Sequence, residues 1–70
     1  MLVPEELEIR FTYHSPSGDQ PEKYEIIRNI AKGFAEFIAV NTPDSREQSL
    51  ALTKLEEAVF WANAAIARRS

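Results

Sequence analysis

Hydrophobic residues recur at steps of three and four positions through most of the chain beyond about residue 20, which is the spacing of one face of an α-helix. The segment Asn41-Thr42-Pro43-Asp44 interrupts this pattern, because a proline disfavours helical backbone at the residue before it. The pattern predicts a first long helix over residues 20–40 and a second over residues 45–69. Since the break is short, the two helices are expected to form an antiparallel hairpin.

The start of the first long helix carries residues that favour helix initiation. Asp19 is in position to cap the free amides, while Pro21 and Glu22 suit the first turn. The apolar residues of this helix predict a single stripe that faces the second helix: Ile27, Ile30, Ala31, Phe34, Phe37 and Ile38.

The second long helix begins with a capping sequence. Ser45 and Gln48 have the spacing of a capping box, and Asp44 with Glu47 forms an overlapping alternative. The positions that keep a regular alternation of three and four predict the seam against the first helix: Leu52, Leu55, Val59, Ala62 and Ile66.

The last half of the second helix is apolar on every side, and a helix of that kind must be enclosed. A chain of 70 residues cannot enclose it alone, and with no cysteine and one histidine it lacks a disulfide or a zinc cluster to stabilise a small core. We therefore predict a homo-oligomer with this face at a subunit interface; the alternative is an N-terminal arm folded back over it. The residues of the face are Ala58, Phe60, Trp61, Ala64 and Ala65.

The N-terminal arm and loop, residues 1–18, are ambiguous. Leu7, Ile9, Phe11 and Tyr13 alternate with polar residues as in a strand, yet Pro4 begins a good first turn of a helix. Because a single strand would have no hydrogen-bonding partner in this chain, we predict a short helix up to about Phe11, followed by an irregular loop. An arm that is irregular throughout is the alternative, and either form gives an all-α protein.

Composition and charge limit the class of protein. With 44% hydrophobic and 27% charged residues, residues 1–70 are expected to form a single soluble domain with no membrane span. The start of the chain lacks the pattern of a signal peptide, which together with the absence of cysteine favours a cytosolic protein. A net charge of -3 argues against a nucleic-acid polymer as partner, whereas a small anion needs only one or two well-placed cations.

Few residues are suited to catalysis. His14 is the only histidine, and a lone histidine in a loop more often makes a hydrogen bond than acts as an acid or base. The acidic residues are scattered along helix faces as solubilising charge, which does not favour a metal site. We expect a protein that is not an enzyme and that needs no metal ion or cofactor.

Residues suited to ligand binding are more frequent, and they suggest a nucleotide pocket because aromatic rings stack on bases while arginine and lysine bind phosphate. Tyr24 and Arg28 adjoin at one helical turn and could face the same ligand. In the simpler alternative, the aromatic residues pack the arm and the cations are solvated helix charges. The candidates are Tyr13, His14, Pro16, Lys23, Tyr24, Arg28, Arg68 and Arg69.

Four segments form a more specific combination: Phe11-Thr12-Tyr13-His14-Ser15-Pro16, then Gln20 with Tyr24 and Ile27-Arg28, then Pro43-Asp44-Ser45, then Leu55 to Arg68 around Trp61. Together they resemble the phage anti-CBASS cyclic-nucleotide sponges, whose helical hairpin is shared with larger sponges that block Thoeris signalling. The resemblance implies a hexamer that acts in the cytoplasm of the infected bacterial host. Its implied function is to bind cyclic dinucleotides, cyclic trinucleotides or both, and to sequester these CBASS immune signals without cleaving them.

The resemblance also implies roles for individual residues. Tyr13 would stack on a base, with His14 and Pro16 shaping the loop around it. Arg28, or Lys23 in its place, would hold a phosphate of a dinucleotide bound between neighbouring subunits.

A second pocket, on a three-fold axis, is implied for trinucleotides. Arg68 and Arg69 would line it, with Asn63 as an amide contact. The alternative function is a purely structural hairpin that oligomerises or docks onto a protein partner.

Overall fold

The computed structural model describes residues 3–70 and contains three helices over that range: α1 (Pro4–Phe11), α2 (Gln20–Asn41) and α3 (Arg46–Arg69). No strand forms among residues 3–70, so the prediction of an all-α protein is confirmed. Residues 7–11, which could have formed a strand, are helical. The amides of Glu6 and Leu7 bond to the carbonyl of Val3, which satisfies the chain locally where a single strand would have had no partner.

The start of α2 is formed differently from the predicted cap. The Asp19 side chain makes no capping hydrogen bond; its carboxylate lies 3.4 Å from the Lys23 ammonium group. The Gln20 side chain accepts a hydrogen bond from the Ser17 amide at 3.1 Å instead. Gly18 between them has a φ of 56°, a left-handed conformation that a glycine adopts without steric strain. A tight turn before the helix therefore replaces the predicted Asp19 cap.

The turn between α2 and α3 is fastened by Gln48. The Oγ of Ser45 accepts a hydrogen bond from the Gln48 amide at 3.1 Å, which confirms the Ser45 cap. The Gln48 side chain does not return to Ser45 as in a full capping box. Its Nε2 donates to the carbonyls of Ala39 and Thr42 at 3.2 and 3.1 Å, and to the Thr42 hydroxyl at 3.0 Å.

The helices α2 and α3 pack against each other along their length, as in a hairpin. All five predicted seam residues of α3 are half-buried. The prediction for α2 was wrong in part, because Ile30, Phe34 and Phe37 are 68%, 55% and 64% exposed. The half-buried residues that α2 contributes are Tyr24, Ile27, Ala31, Ala35 and Ile38.

The difference on α2 has a steric cause. Two apolar stripes adjoin on this helix, and only one can face α3 at a time. The stripe with Ala31 and Ala35 allows close approach of the helices, whereas phenylalanines there would hold them apart. The second stripe, which we call the outer stripe of α2, consists of Ile26, Ile30, Phe34, Phe37 and Val40 and is exposed along its whole length.

The hairpin is flat, with principal extents of 45 × 32 × 13 Å. No hydrophobic residue among residues 3–70 is buried, and Gln20 is the one residue of that range that is. Residues 3–70 of a single chain therefore enclose no apolar core.

The short helix α1 is tied to the end of α3 by charged groups. The Glu6 carboxylate accepts hydrogen bonds from Nη2 of Arg69 at 2.9 and 3.0 Å and from Nε of Arg10 at 3.0 Å. Arg68 donates to the carbonyl of Arg10 at 3.4 Å. Trp61 nevertheless stays 66% exposed, so the alternative in which the arm covers the apolar face of α3 is not what the chain forms.

Candidate functional site

A groove of about 570 Å³ lies where the loop after α1 meets α2 and α3. Each part of the fold contributes to it: the end of α1, the first residues of the loop, the first turns of α2 and the last turns of α3. Its lining residues are Arg10, Thr12, Tyr13, His14, Tyr24, Arg28, Phe60, Asn63, Ala64, Ala67 and Arg68.

Six of the nine predicted binding residues meet in this groove: Tyr13, His14, Tyr24, Arg28, Asn63 and Arg68. They come from three separate parts of the sequence, and the hairpin brings them together by placing the start of α2 beside the end of α3. Tyr24 and Arg28, one turn apart, line the same groove as their spacing suggested. The structure thus provides a common location for these residues; their contact with a ligand stays a prediction.

The loop position of His14 is fixed by a hydrogen bond. Its Nε2 lies 2.8 Å from the carbonyl oxygen of Ile9, in the last turn of α1. Because a carbonyl only accepts, Nε2 carries the hydrogen and donates it. The bond holds the loop against α1 and leaves the neighbouring Tyr13 side chain 81% exposed at the groove.

The other three predicted residues lie outside the groove. Lys23 pairs with Asp19, and Pro16 is exposed on the loop. Arg69 is bonded to Glu6 and lines a neighbouring groove of about 420 Å³ that also contains Phe11 and Trp61. The structure gives Lys23 and Arg69 ion-pair partners within the chain, and the ligand-binding roles of all three residues remain predictions.

Asn63 carries an unsatisfied polar atom. Its Oδ1 is shielded from solvent and has no hydrogen-bond partner among the described residues. An orphaned buried acceptor costs about 1–3 kcal/mol. A donor supplied to this position by a ligand, or by a rearrangement on binding, would recover that energy.

The sequence analysis missed five of the groove residues, which are Arg10, Thr12, Phe60, Ala64 and Ala67. Arg10 had a signal, since it follows Glu6 at the i,i+4 spacing of a helical ion pair. It also lies two positions before the loop of residues 12–19, which contains Tyr13 and which we call the tyrosine loop. The sequence analysis placed Phe60 at a subunit interface. Its position beside the groove could not be predicted, because it depends on how α3 is rotated against α2.

The local charge of the groove is opposite to that of the chain. Arg10, Arg28 and Arg68 line it, and no carboxylate does, although the chain has a net charge of -3. Glu6 lies beside it and is shared by two guanidinium groups; the hydrogen bonds from Arg69 and then Arg10 lower the pKa of Glu6 below its ordinary value. A positive, aromatic-lined groove is suited to an anion that carries flat rings.

The residues that the structure describes provide neither a metal-binding cluster nor a membrane-spanning helix. Residues 3–70 contain no group of three or more histidine, cysteine, aspartate or glutamate side chains that could hold a metal ion. None of the three helices is both long enough and apolar enough to cross a membrane.

Comparison with known families identifies the hairpin. The family model described as "Acb2/Tad1, hairpin domain" matches residues 4–67. The chain belongs to the Acb2/Tad1 hairpin family. This is the anti-CBASS and anti-Thoeris sponge family, so the resemblance noted in the sequence is confirmed. Neither the search of curated proteins nor that of solved structures found a match.

The Acb2/Tad1 match covers nearly the whole candidate site. All groove residues except Arg68 fall within residues 4–67. The family is one of phage sponges for cyclic-nucleotide signals, and the aromatic rings and arginines of the groove are of the residue types that such a signal requires.

Proposed function

We propose that this protein sequesters cyclic dinucleotides, cyclic trinucleotides or both in its groove, as a homo-oligomer, and does not cleave them. The observation that carries the proposal is the groove itself, where Tyr13 and Tyr24 meet three arginines without an intervening carboxylate. Tyrosine rings stack on bases, contributing about 1–3 kcal/mol per base, and guanidinium groups form charge-assisted bonds to phosphate. As a phage protein, it would act in the cytoplasm of the infected bacterium.

The affinity that a sponge needs is within reach of such a site. Nanomolar binding corresponds to about -12 kcal/mol. A cyclic dinucleotide has roughly 45 heavy atoms, and at about -0.3 kcal/mol per atom it can reach that value if most of its surface is buried. Since the groove of one chain is shallow and open, burial on both faces favours a site completed by a neighbouring subunit.

The absence of cleavage is part of the proposal. General acid–base catalysis needs a group free to exchange a proton at the reacting atom. His14 is the one imidazole of the chain, and its Nε2 hydrogen is donated to the carbonyl of Ile9. The role assigned to His14 is therefore to hold the loop.

Oligomerisation is supported by the apolar surface. The outer stripe of α2, together with Phe60 and Trp61 on α3, leaves large hydrophobic side chains exposed on both helices. Contiguous apolar patches of this kind mark interaction sites in small proteins. We propose that copies of the chain cover them; the hexameric number follows from the family resemblance.

Calorimetry tests the proposal directly. The purified protein is titrated with cyclic GMP-AMP and with cyclic tri-adenylate, then denatured by heat, and the released ligand is analysed by chromatography. We expect nanomolar binding of at least one ligand and its recovery unchanged. Recovery of a linearised product would show cleavage and overturn sequestration. If neither ligand produces heat on titration or changes the melting temperature, the proposal of binding is wrong.

A matched pair of variants tests the groove. Tyr13 and Phe11 are both 81% exposed, but Tyr13 lines this groove whereas Phe11 lines the neighbouring one. Tyr13→Ala is expected to weaken binding about tenfold or more, as loss of one stacked base would. Phe11→Ala serves as the control and should bind nearly as the wild type does.

The outer stripe also supports a second candidate function, a structural hairpin that docks onto a protein partner. This candidate predicts that no cyclic nucleotide raises the melting temperature. It also predicts that Tyr13→Ala leaves phage survival against CBASS unchanged. The ligand titrations above therefore separate the two functions.

A further inference from the structure

Arg10 occupies the boundary between two grooves. It lines the groove with Tyr13 and also the neighbouring one with Trp61, and its side chain is 43% exposed. The Nε of its guanidinium is bonded to Glu6 at 3.0 Å, and its two terminal nitrogens make no hydrogen bond within residues 3–70. Those two nitrogens form the part of the fork that binds a phosphate bidentately.

The surroundings of Arg10 keep a positive charge despite this ion pair. Glu6 is shared, because it accepts from Arg69 as well as from Arg10. The arginines lining the two grooves are Arg10, Arg28, Arg68 and Arg69, and no carboxylate lines either groove. If Glu6 is counted with the residues that line the two grooves, there are four cationic side chains and one anionic side chain.

Glu6 also gives Arg10 a defined orientation. Nη2 of Arg69 donates to both oxygens of the Glu6 carboxylate, and Arg68 donates to the backbone carbonyl of Arg10. The last turn of α1 is thus fixed to α3, and a fixed guanidinium loses little conformational entropy when it binds an anion. An unrestrained surface arginine would lack this advantage.

We propose that Arg10 is a third phosphate-contacting arginine of the groove, beside Arg28 and Arg68, and that Glu6 is the positioning residue that holds it. The ligand class is an anion with more than one phosphate. The inference rests on the proposed function for the identity of that anion, but the contact itself requires only a polyphosphate.

Two measurements test Arg10. In the first, calorimetry compares wild type, Arg10→Met and Arg10→Lys with the cyclic nucleotide that the wild type binds, at low and high salt. Arg10→Met should bind about tenfold more weakly or worse and with a shallower salt dependence, and Arg10→Lys should lie between, because it keeps the charge and loses the fork. Arg46→Met, at the far end of α3, is the matched control and should bind as the wild type does.

In the second, the Nε–H signals of the arginines are followed by NMR while inorganic tripolyphosphate is added. The signals of Arg10, Arg28 and Arg68 should shift together, and that of Arg46 should not. If Arg10→Met binds as the wild type does, or the Arg10 signal does not move, the inference is wrong even where binding is intact. If no cyclic nucleotide binds and the Arg10 signal still shifts with tripolyphosphate, the proposed function fails and the anion contact stands.

Discussion

At the scale of single residues, Asn63 offers a test that separates stability from function. Its Oδ1 is buried and has no hydrogen-bond partner within residues 3–70. Because an unsatisfied acceptor destabilises the folded state, Asn63→Ala should leave the melting temperature unchanged or raise it by a few degrees, consistent with about 1 kcal/mol. If a ligand donates to this amide, the same variant should bind it more weakly. A lower melting temperature for Asn63→Ala would show that the amide is satisfied in the free protein.

Glu6 gives a pH-dependent prediction. The bonds from Arg69 and Arg10 lower its pKa in the folded state, so the carboxylate stabilises the fold above the ordinary glutamate pKa of about 4.3. That contribution is lost as the pH falls through the lowered folded-state value, because the unfolded chain takes up the proton first. Thermal melts should show Glu6→Gln to be less stable than wild type at pH 7, with the difference shrinking in acid. Glu8→Gln, an exposed site on the same helix, should show no such trend.

Residue-level sequence analysis named six side chains that the structure brings to one groove, but it did not predict how they come together. Tyr13, Tyr24 and Arg28 could be recognised because ring and charge chemistry is a property of the residue itself. Arg10 was harder to recognise, because its spacing from Glu6 indicates only an ion pair within α1. Its place at the groove comes from the contact of α1 with α3, which involves residues more than 50 positions apart. The position of Arg69 outside the groove depends on the same contact. Arg69 is bonded to Glu6, and the sequence did not predict where the helix that carries Glu6 lies.

At the scale of helices, Gln20 joins three segments. Its Oε1 accepts from the Ser17 amide, and its Nε2 donates to the carbonyls of Ile66 and Ser70 at 3.1 and 3.2 Å. The side chain therefore fixes the loop to the last turn of α3, whose final carbonyls have no partners within the helix.

The Gln20→Glu variant tests this connection. Glutamate keeps the acceptor for Ser17, but it removes both donor bonds and places a negative charge at the negative end of the α3 dipole. We expect a loss of about 1–3 kcal/mol in the free energy of unfolding, with faster hydrogen exchange in the tyrosine loop and the end of α3. Exchange that rises uniformly along α2 and α3 would instead indicate a general loss of packing. Gln48→Glu, at the other end of the hairpin, is the control, and it should not speed hydrogen exchange in the tyrosine loop or at the end of α3.

The helices themselves were largely predictable, as was the face that α3 turns toward α2, but the face that α2 buries was not. Local signals such as Pro21, Pro43 and the Ser45 cap act within a few residues, so they indicate where helices begin and end. The choice between two apolar stripes on α2 depends on the partner helix. The exposed Phe34 and Phe37 show that side-chain size alone does not identify the packed face.

At the scale of the whole molecule, the arrangement of apolar surface favours self-association. A flat hairpin with no buried hydrophobic residue among residues 3–70 has little to stabilise it as a single chain. Association would enclose the outer stripe of α2 and would bring a second surface over the shallow groove. On this view, folding and ligand binding depend on the same assembly.

A charge placed in the outer stripe should therefore disrupt assembly, stability and binding together. Phe34→Lys puts an ammonium group where a neighbouring subunit is proposed to pack, and burying an unpaired charge is strongly unfavourable. Glu36→Lys, on the exposed polar side of the same helix, is the matched control. Native mass spectrometry with a mixture of cyclic di- and trinucleotides should show the wild type and Glu36→Lys as ligand-bound oligomers, and Phe34→Lys as a smaller species with less ligand. An unaltered oligomer in Phe34→Lys would exclude the outer stripe as the interface and direct attention to the Trp61 face of α3.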